Sequence, residues 1–146
     1  MSRGRRATAL LAGLVATASL SACTEVTPAE KEHYSPAAIS PVKGEKDLFS
    51  VTLTQEGADR IQIATGEVRR RTGHKSIPYA ALLYENDGSA FVYTNPRGLT
   101  YVRAHIEIDR VAGDRVLLDE GPPVGTRVVT TGAPQVHGAE LEYGEY

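Results

Sequence analysis

Residues 100–111, "TYVRAHIEIDRV", decide the fold. Tyr101, Arg103, His105, Glu107 and Asp109 alternate with Val102, Ala104, Ile106 and Ile108, a period of two that gives one long strand a single dry face. Shorter runs of the same rhythm lie on either side, divided by turn residues. Downstream, "AGD" at 112–114 turns the chain into a strand over 115–119. Pro122 and Pro123, fixed in φ and without amide donors, then force a loop before a further strand over 127–131. Upstream, "YAALLY" at 79–84 and "AFVYT" at 90–94 read as a pair of strands joined by "ENDG" at 85–88. Earlier still, "LFSVTL" at 48–53 alternates as a half-buried strand, and Thr54 is placed to N-cap a short helix over 55–62, which Gly57 weakens. Residues 65–71, "TGEVRRR", read as a strand with a basic end, followed by a turn at 72–76. The expected fold is mainly β: a small antiparallel barrel or sandwich with one short helix.

Composition agrees with that reading. The chain has 146 residues, 14 Gly, 8 Pro and no Trp, which suits one modest domain of short elements better than a long-helix architecture.

The first third is different in character. Arg3, Arg5 and Arg6 precede an uncharged run over 7–22 that ends in small residues, the pattern of a secretory signal. That run is short of the ~20 apolar residues that span a bilayer and is diluted by Ala, Thr, Ser and Gly, which argues against a transmembrane helix. It closes on Leu20, Ser21, Ala22 and Cys23, the one cysteine of the chain. These four residues resemble the lipobox of bacterial lipoproteins. The resemblance implies diacylglycerol on the Cys23 sulfur, cleavage before Cys23, and acylation of the new amino terminus. A thiol suits that role, because its thiolate is a strong nucleophile near neutral pH. The competing uses of Cys23 are a core thiol, for which the polar surroundings supply no apolar period, and an intermolecular disulfide.

Loss of residues 1–22 removes three arginines and no acid, so the formal charge moves from −2 to −5. An acidic exported protein is a poor nucleic-acid ligand. From 23 to 47 the sequence is polar and rich in proline, and reads as a lipidated, disordered tether ahead of a β domain over 48–146.

Chemistry is sparsely signalled. His33, His74, His105 and His137 lack metal-ligand spacing, and no nucleophile elbow or paired general acid and base is marked, so no metal, cofactor or catalytic residue is expected. The pairs Asp119 with Glu120 and Glu140 with Glu142 read as solvent-facing charges. Tyr79, Tyr84, Tyr93 and Tyr101 read as the rim of a small core with their hydroxyls in water, in preference to an aromatic binding strip. Arg69, Arg70 and Arg71 form the local cationic cluster. Such runs are usually solvated strand ends, and the sharper reading is contact with an acidic partner or anionic lipid head groups.

The stretches "IPYAALLYENDGSAFVYT", "YVRAHIEIDRVAGDRVLLDEG", "PVGTRVVTTGA" and "VHGAELEYG", in that order over 77–142, resemble the C-terminal, membrane-proximal part of the periplasmic adaptor subunits, or membrane fusion proteins, of RND-type efflux pumps. Residues 51–68, "VTLTQEGADRIQIATGEV", resemble the segment near the start of such adaptors. In the family these two parts come together around a β-barrel domain, a lipoyl-like domain and often a helical hairpin. Here only residues 69–76 lie between them, so the middle is missing. The resemblance implies a non-enzymatic, lipid-anchored domain on the extracytoplasmic face of the cell membrane, docked on an inner-membrane transporter. The alternative is an envelope lipoprotein that binds a small ligand in its β domain.

Overall fold

The computed structural model describes residues 35–144. The expected signal sequence, the lipobox-like residues with Cys23, and His33 lie outside the described residues.

In chain order the elements are β1 (Ala37–Pro41), β2 (Phe49–Leu53), α1 (Gln55–Arg60), β3 (Ala64–Glu67), β4 (Arg69–Arg71) and β5 (His74–Pro78), then a 3₁₀ turn (Tyr79–Ala81) and β6 (Leu83–Tyr84). They continue as β7 (Ala90–Arg97), β8 (Thr100–Ala112), β9 (Arg115–Glu120), β10 (Arg127–Thr131) and α2 (Ala133–Gly144). The chain is mainly β, a curled antiparallel half-barrel. Its sheet runs β3-β10-β7-β8-β9-β5-β4, with β1 and β2 added to β8 through β2, and β6 on β7.

The long strand β8 organises this sheet. The first half of β8 pairs with β7 from Arg97↔Thr100 to Ala90↔Ile106, and its second half pairs with β9 from Glu107↔Glu120 to Ala112↔Arg115. Register shifts on either side of Ile108 bend the strand where it changes partner. The curl has a topological consequence. β3 and β4 stand at opposite ends of the sheet order, yet only Val68 separates them in sequence. The two edges therefore meet at Val68, which is fully buried. Its N–H donates to Thr126 O at 2.9 Å, and its carbonyl accepts from Gly125 N at 2.8 Å. The single strand expected over 65–71 is thus two strands with a seam between them.

Two apolar clusters occupy the two faces. Ala90, Val92, Ile106, Val116, Leu118 and Val128 join Val68 and Ile77 inside the curl. Phe91, Tyr93, Tyr101 and Val129 meet Val51, Leu53 and the helix residues Ala58, Ala133 and Val136 on the other face. Adjacent residues of β7 alternate between clusters, so that strand is buried on both sides. The sequence reading gave β8 one dry face and placed Tyr101 on the wet one. In fact Tyr101 is 2% exposed, because β2 and the helices cover its face as well.

Four further differences from the sequence reading have local causes. The expected tether 23–47 contains β1, whose Ile39 pairs with Val51 and packs on the outer core. Pro36 precedes this short edge strand and Pro41 is its last residue, places where proline is tolerated, and they give the stretch its linker-like look. The turn expected at 72–76 is confined to Thr72 and Gly73, both at positive φ (48° and 90°), and His74 already belongs to β5. The strand expected over 79–84 begins instead as the 3₁₀ turn, closed by Leu82 N donating to Tyr79 O at 3.1 Å. Ala80 and Ala81 offer no β-branched preference against that turn. Finally, α2 was not expected. The short helix after Thr54 was, and Thr54 Oγ1 accepts from Gly57 N at 3.0 Å as its N-cap.

Candidate functional site

Two groups of charged side chains stand out. The first lies under α2. The buried positions of this helix are Ala133, Val136 and Glu140, with His137 partly buried beside them, one stripe at helical spacing. The stripe carries His137 and Glu140 down onto β7 and β8. Tyr93 Oη donates to Glu140 Oε2, and His137 Nδ1 lies 3.1 Å from the same hydroxyl. Since Tyr93 spends its proton on Glu140, Nδ1 is the donor of the second bond. Arg103 binds Glu85 Oε1 through Nη1 and reaches Glu140 Oε1 through Nη2 at 3.3 Å. His137 Nε2 stands 3.9 Å from Glu85 Oε2, and the Arg103 guanidinium lies 5.7 Å from the centre of the Phe91 ring. Glu140 is 4% exposed, so it is not the solvent-facing charge that its sequence suggested. Tyr93 is likewise fully buried, and its hydroxyl is not in water. Burial, then the hydrogen bond and negative charge of Glu140, push the Tyr93 hydroxyl far above its ordinary pKa. Tyr79 and Tyr84 are exposed, as expected of rim residues.

Above this network opens a groove of about 820 Å³, lined by residues 44–48 together with Glu85, Phe91, Arg103 and His105. The acids and bases at its floor engage each other. Their arrangement fixes α2 to the sheet, and Lys46, Arg103 and His105 line the opening.

The second group is the arginine run. β4 is an edge strand, paired to β5 as Arg69↔Ser76, Arg70↔Lys75 and Arg71↔His74. By strand alternation Arg69 and Arg71 share one face and Arg70 takes the other. Ser76 is opposite Leu117 and Pro78 opposite Arg115, so the side chains of Arg69, Arg71, Ser76 and Arg115 stand on the same face of the sheet. Arg115 Nη2 donates to Ser76 O at 2.7 Å, Ser76 Oγ at 3.1 Å and Glu67 O at 3.3 Å. Burial and then the neighbouring charge of Arg69 lower its pKa, with Asp114 opposing and Arg71 adding to the effect. Together with Arg70 and Asp114 these residues line a cavity of about 250 Å³.

The structure thus brings Arg69 and Arg71 together with Arg115, which the sequence reading missed, while Arg70, on the other face by alternation, still borders the cavity and donates through Nη1 to Gly73 O at 3.0 Å. Register between β5 and β9 is the signal that adds Arg115, and register was not in the sequence. Leu20, Ser21, Ala22 and Cys23 lie outside the described residues. Among the described residues no group of three or more His, Cys, Asp or Glu side chains could hold a metal ion, and no helix is long and apolar enough to cross a membrane. Comparisons with protein-family models, with curated proteins and with solved structures found no match.

Proposed function

We propose that this protein is a lipid-anchored, non-enzymatic accessory of a membrane transport system, an adaptor-like β domain that docks on the outward face of a transporter. The observation that carries this reading is the pairing of the two adaptor-like segments. Residues 51–68 and 77–142 share one sheet through β2 with β8 and β3 with β10. Between them the chain adds only the β4–β5 hairpin at the end of the same sheet, where adaptors carry their larger middle domains. Anchoring through Cys23 complements a domain of this size. With β1 beginning at Ala37, the 14 residues from Cys23 let it reach no further than about 50 Å from the lipid, at ~3.5 Å per residue. Confinement to that layer raises the local concentration of a partner in the same membrane without any new contact.

Cross-linking in intact membranes tests the docking: a transporter subunit is expected among the products, and its consistent absence overturns the reading. Cys23→Ser tests the anchor separately, with loss of processing or release from the lipid fraction expected. Unchanged mass and detergent partitioning in that variant would refute lipidation.

A second reading, an envelope lipoprotein that takes a small ligand, is favoured by the groove beside Arg103 and His105. Titration of the full chain with small organic anions separates the two, since Arg103→Gln should abolish saturable binding only if the groove is a ligand site.

A further inference from the structure

The guanidinium of Arg115 sits in an electrostatic environment of unusual sign. It is partly buried, its hydrogen bonds go to carbonyls and one hydroxyl, and among the described residues no carboxylate comes within 4.0 Å of it. Its charged neighbours on the same face are Arg69 and Arg71. Arg71 has neither an ion-pair nor a side-chain hydrogen-bond partner among the described residues, and Arg69 has only Glu67, at 3.7 Å and well exposed. The nearby acids are Glu67 and Asp114 and, further along the face, Asp109 and Asp119, which stand 3.9 Å and 4.0 Å from His74 across the ladder from Arg71, Asp109 also pairing with Arg110. Asp114 is the one carboxylate-bearing residue in the lining of the cavity, among Arg69, Arg70, Arg71 and Arg115. Like charges so placed repel, and an anion seated between them relieves that repulsion and completes the hydrogen bonds that the planar guanidinium forks leave open.

From this geometry we propose that Arg69, Arg71 and Arg115 form a binding site for the phosphate of an anionic phospholipid head group. A phosphate group suits the site because its oxygens accept from several guanidinium forks at once, whereas a carboxylate presents only two oxygens. The membrane is the source argued for because this inference rests on the reading of a lipid-anchored domain, whose tether keeps it within reach of that surface. The mature chain carries a formal charge of −5 and is repelled overall by an anionic membrane, so a local basic face sets which side turns toward the lipid. The arginines also protect an exposed sheet edge from pairing with another chain, a role compatible with this one.

The test uses the mature chain from residue 23 carrying Cys23→Ser, so that neither an acyl group nor the basic, apolar residues 1–22 contribute. Binding is measured by co-sedimentation with vesicles of phosphatidylcholine alone and with vesicles containing about one-third phosphatidylglycerol, at low and physiological salt. The chain is expected to prefer the anionic vesicles. Each basic residue at such a surface contributes about fivefold, so Arg69→Gln with Arg71→Gln lowers anionic binding about 25-fold. Both positions are exposed on an edge strand, and an unchanged thermal midpoint shows that the fold is retained. The charge-matched pair Lys43→Gln with Lys46→Gln should change binding by no more than about twofold. Equal binding to both vesicle types, or an equal drop in the lysine pair, overturns the site. Saturable binding of inorganic phosphate or of an acidic peptide without vesicle preference overturns the lipid assignment. Failure here leaves the transporter cross-link untouched, and failure of the cross-link leaves vesicle binding untouched, so the two readings fall separately.

Discussion

Tyr93 places a phenol where its neutral form is strongly favoured, and this has a pH signature. Its ordinary pKa is 10.0 and burial raises the folded value well above that. A raised folded pKa means that the stabilisation is complete below pH 10.0 and declines as pH climbs toward the folded value, because only the unfolded chain then releases the proton. The decline is about 1.4 kcal/mol per pH unit for one such tyrosine. Tyr101, also raised by burial, adds a second contribution in the same direction. Denaturant unfolding across that range should therefore show a steep alkaline loss in the wild type. Tyr93→Phe should be less stable by roughly 1–3 kcal/mol at neutral pH, since Glu140 loses its donor, and should lose stability less steeply above it. Parallel alkaline slopes for the two proteins would contradict the assignment. Of this cluster the sequence announced little. Tyr93 is visible as a strand tyrosine, but its partner Glu140 lies 47 residues away on a helix that the apolar pattern does not reveal.

At the scale of elements, α2 shows why that pattern was silent. A buried stripe that reads Ala133, Val136, His137, Glu140 is half polar, so hydrophobic periodicity misses it, whereas His137 and Glu140 at i, i+3 carry the information instead. The β8 strand was legible for the opposite reason, because its alternation extends over many residues. β1 was hidden since its stability comes from β2 and the outer core, not from its own five residues. Gly57 connects these elements and supports a prediction that contradicts propensity. Alanine is favoured over glycine inside a helix by about 1 kcal/mol. Yet a Cβ on Gly57 would stand 2.7 Å from the carbonyl oxygen of Pro36, the same oxygen that accepts from Thr54 N at 2.9 Å. Gly57→Ala should therefore destabilise the protein, by roughly 1–3 kcal/mol, as overpacking commonly does. Hydrogen exchange should locate the damage in β1, with Ile39 losing protection before the centre of the sheet. A more stable Gly57→Ala variant would show that β1 docks loosely.

For the whole molecule the decisive feature is closure at one residue. The sheet's two edges approach each other because β3 and β4 are consecutive, and a strand read as continuous over 65–71 could not have shown that its halves pair with opposite ends of the sheet. Val68 thereby carries apolar contacts to the inner cluster and both seam hydrogen bonds. Its backbone bonds survive truncation of the side chain, so Val68→Ala tests the packing at the seam alone. The expected cost is about 2–3 kcal/mol, from lost burial and the small cavity left behind. Ile106→Ala, which removes a comparably buried side chain from the middle of the same cluster, should cost a similar amount. The two differ in where the structure loosens. Ile106→Ala lowers protection across β7, β8 and β9 together, whereas Val68→Ala should raise exchange first in β3 and β4, the terminal strands on either side of the seam. Because β4 also presents Arg69 and Arg71, the same variant should weaken binding to anionic vesicles without altering a single charge. Native-state hydrogen exchange beside vesicle co-sedimentation checks both consequences at once. An undisturbed β4 in Val68→Ala would mean that the basic hairpin folds independently of the closure that positions it.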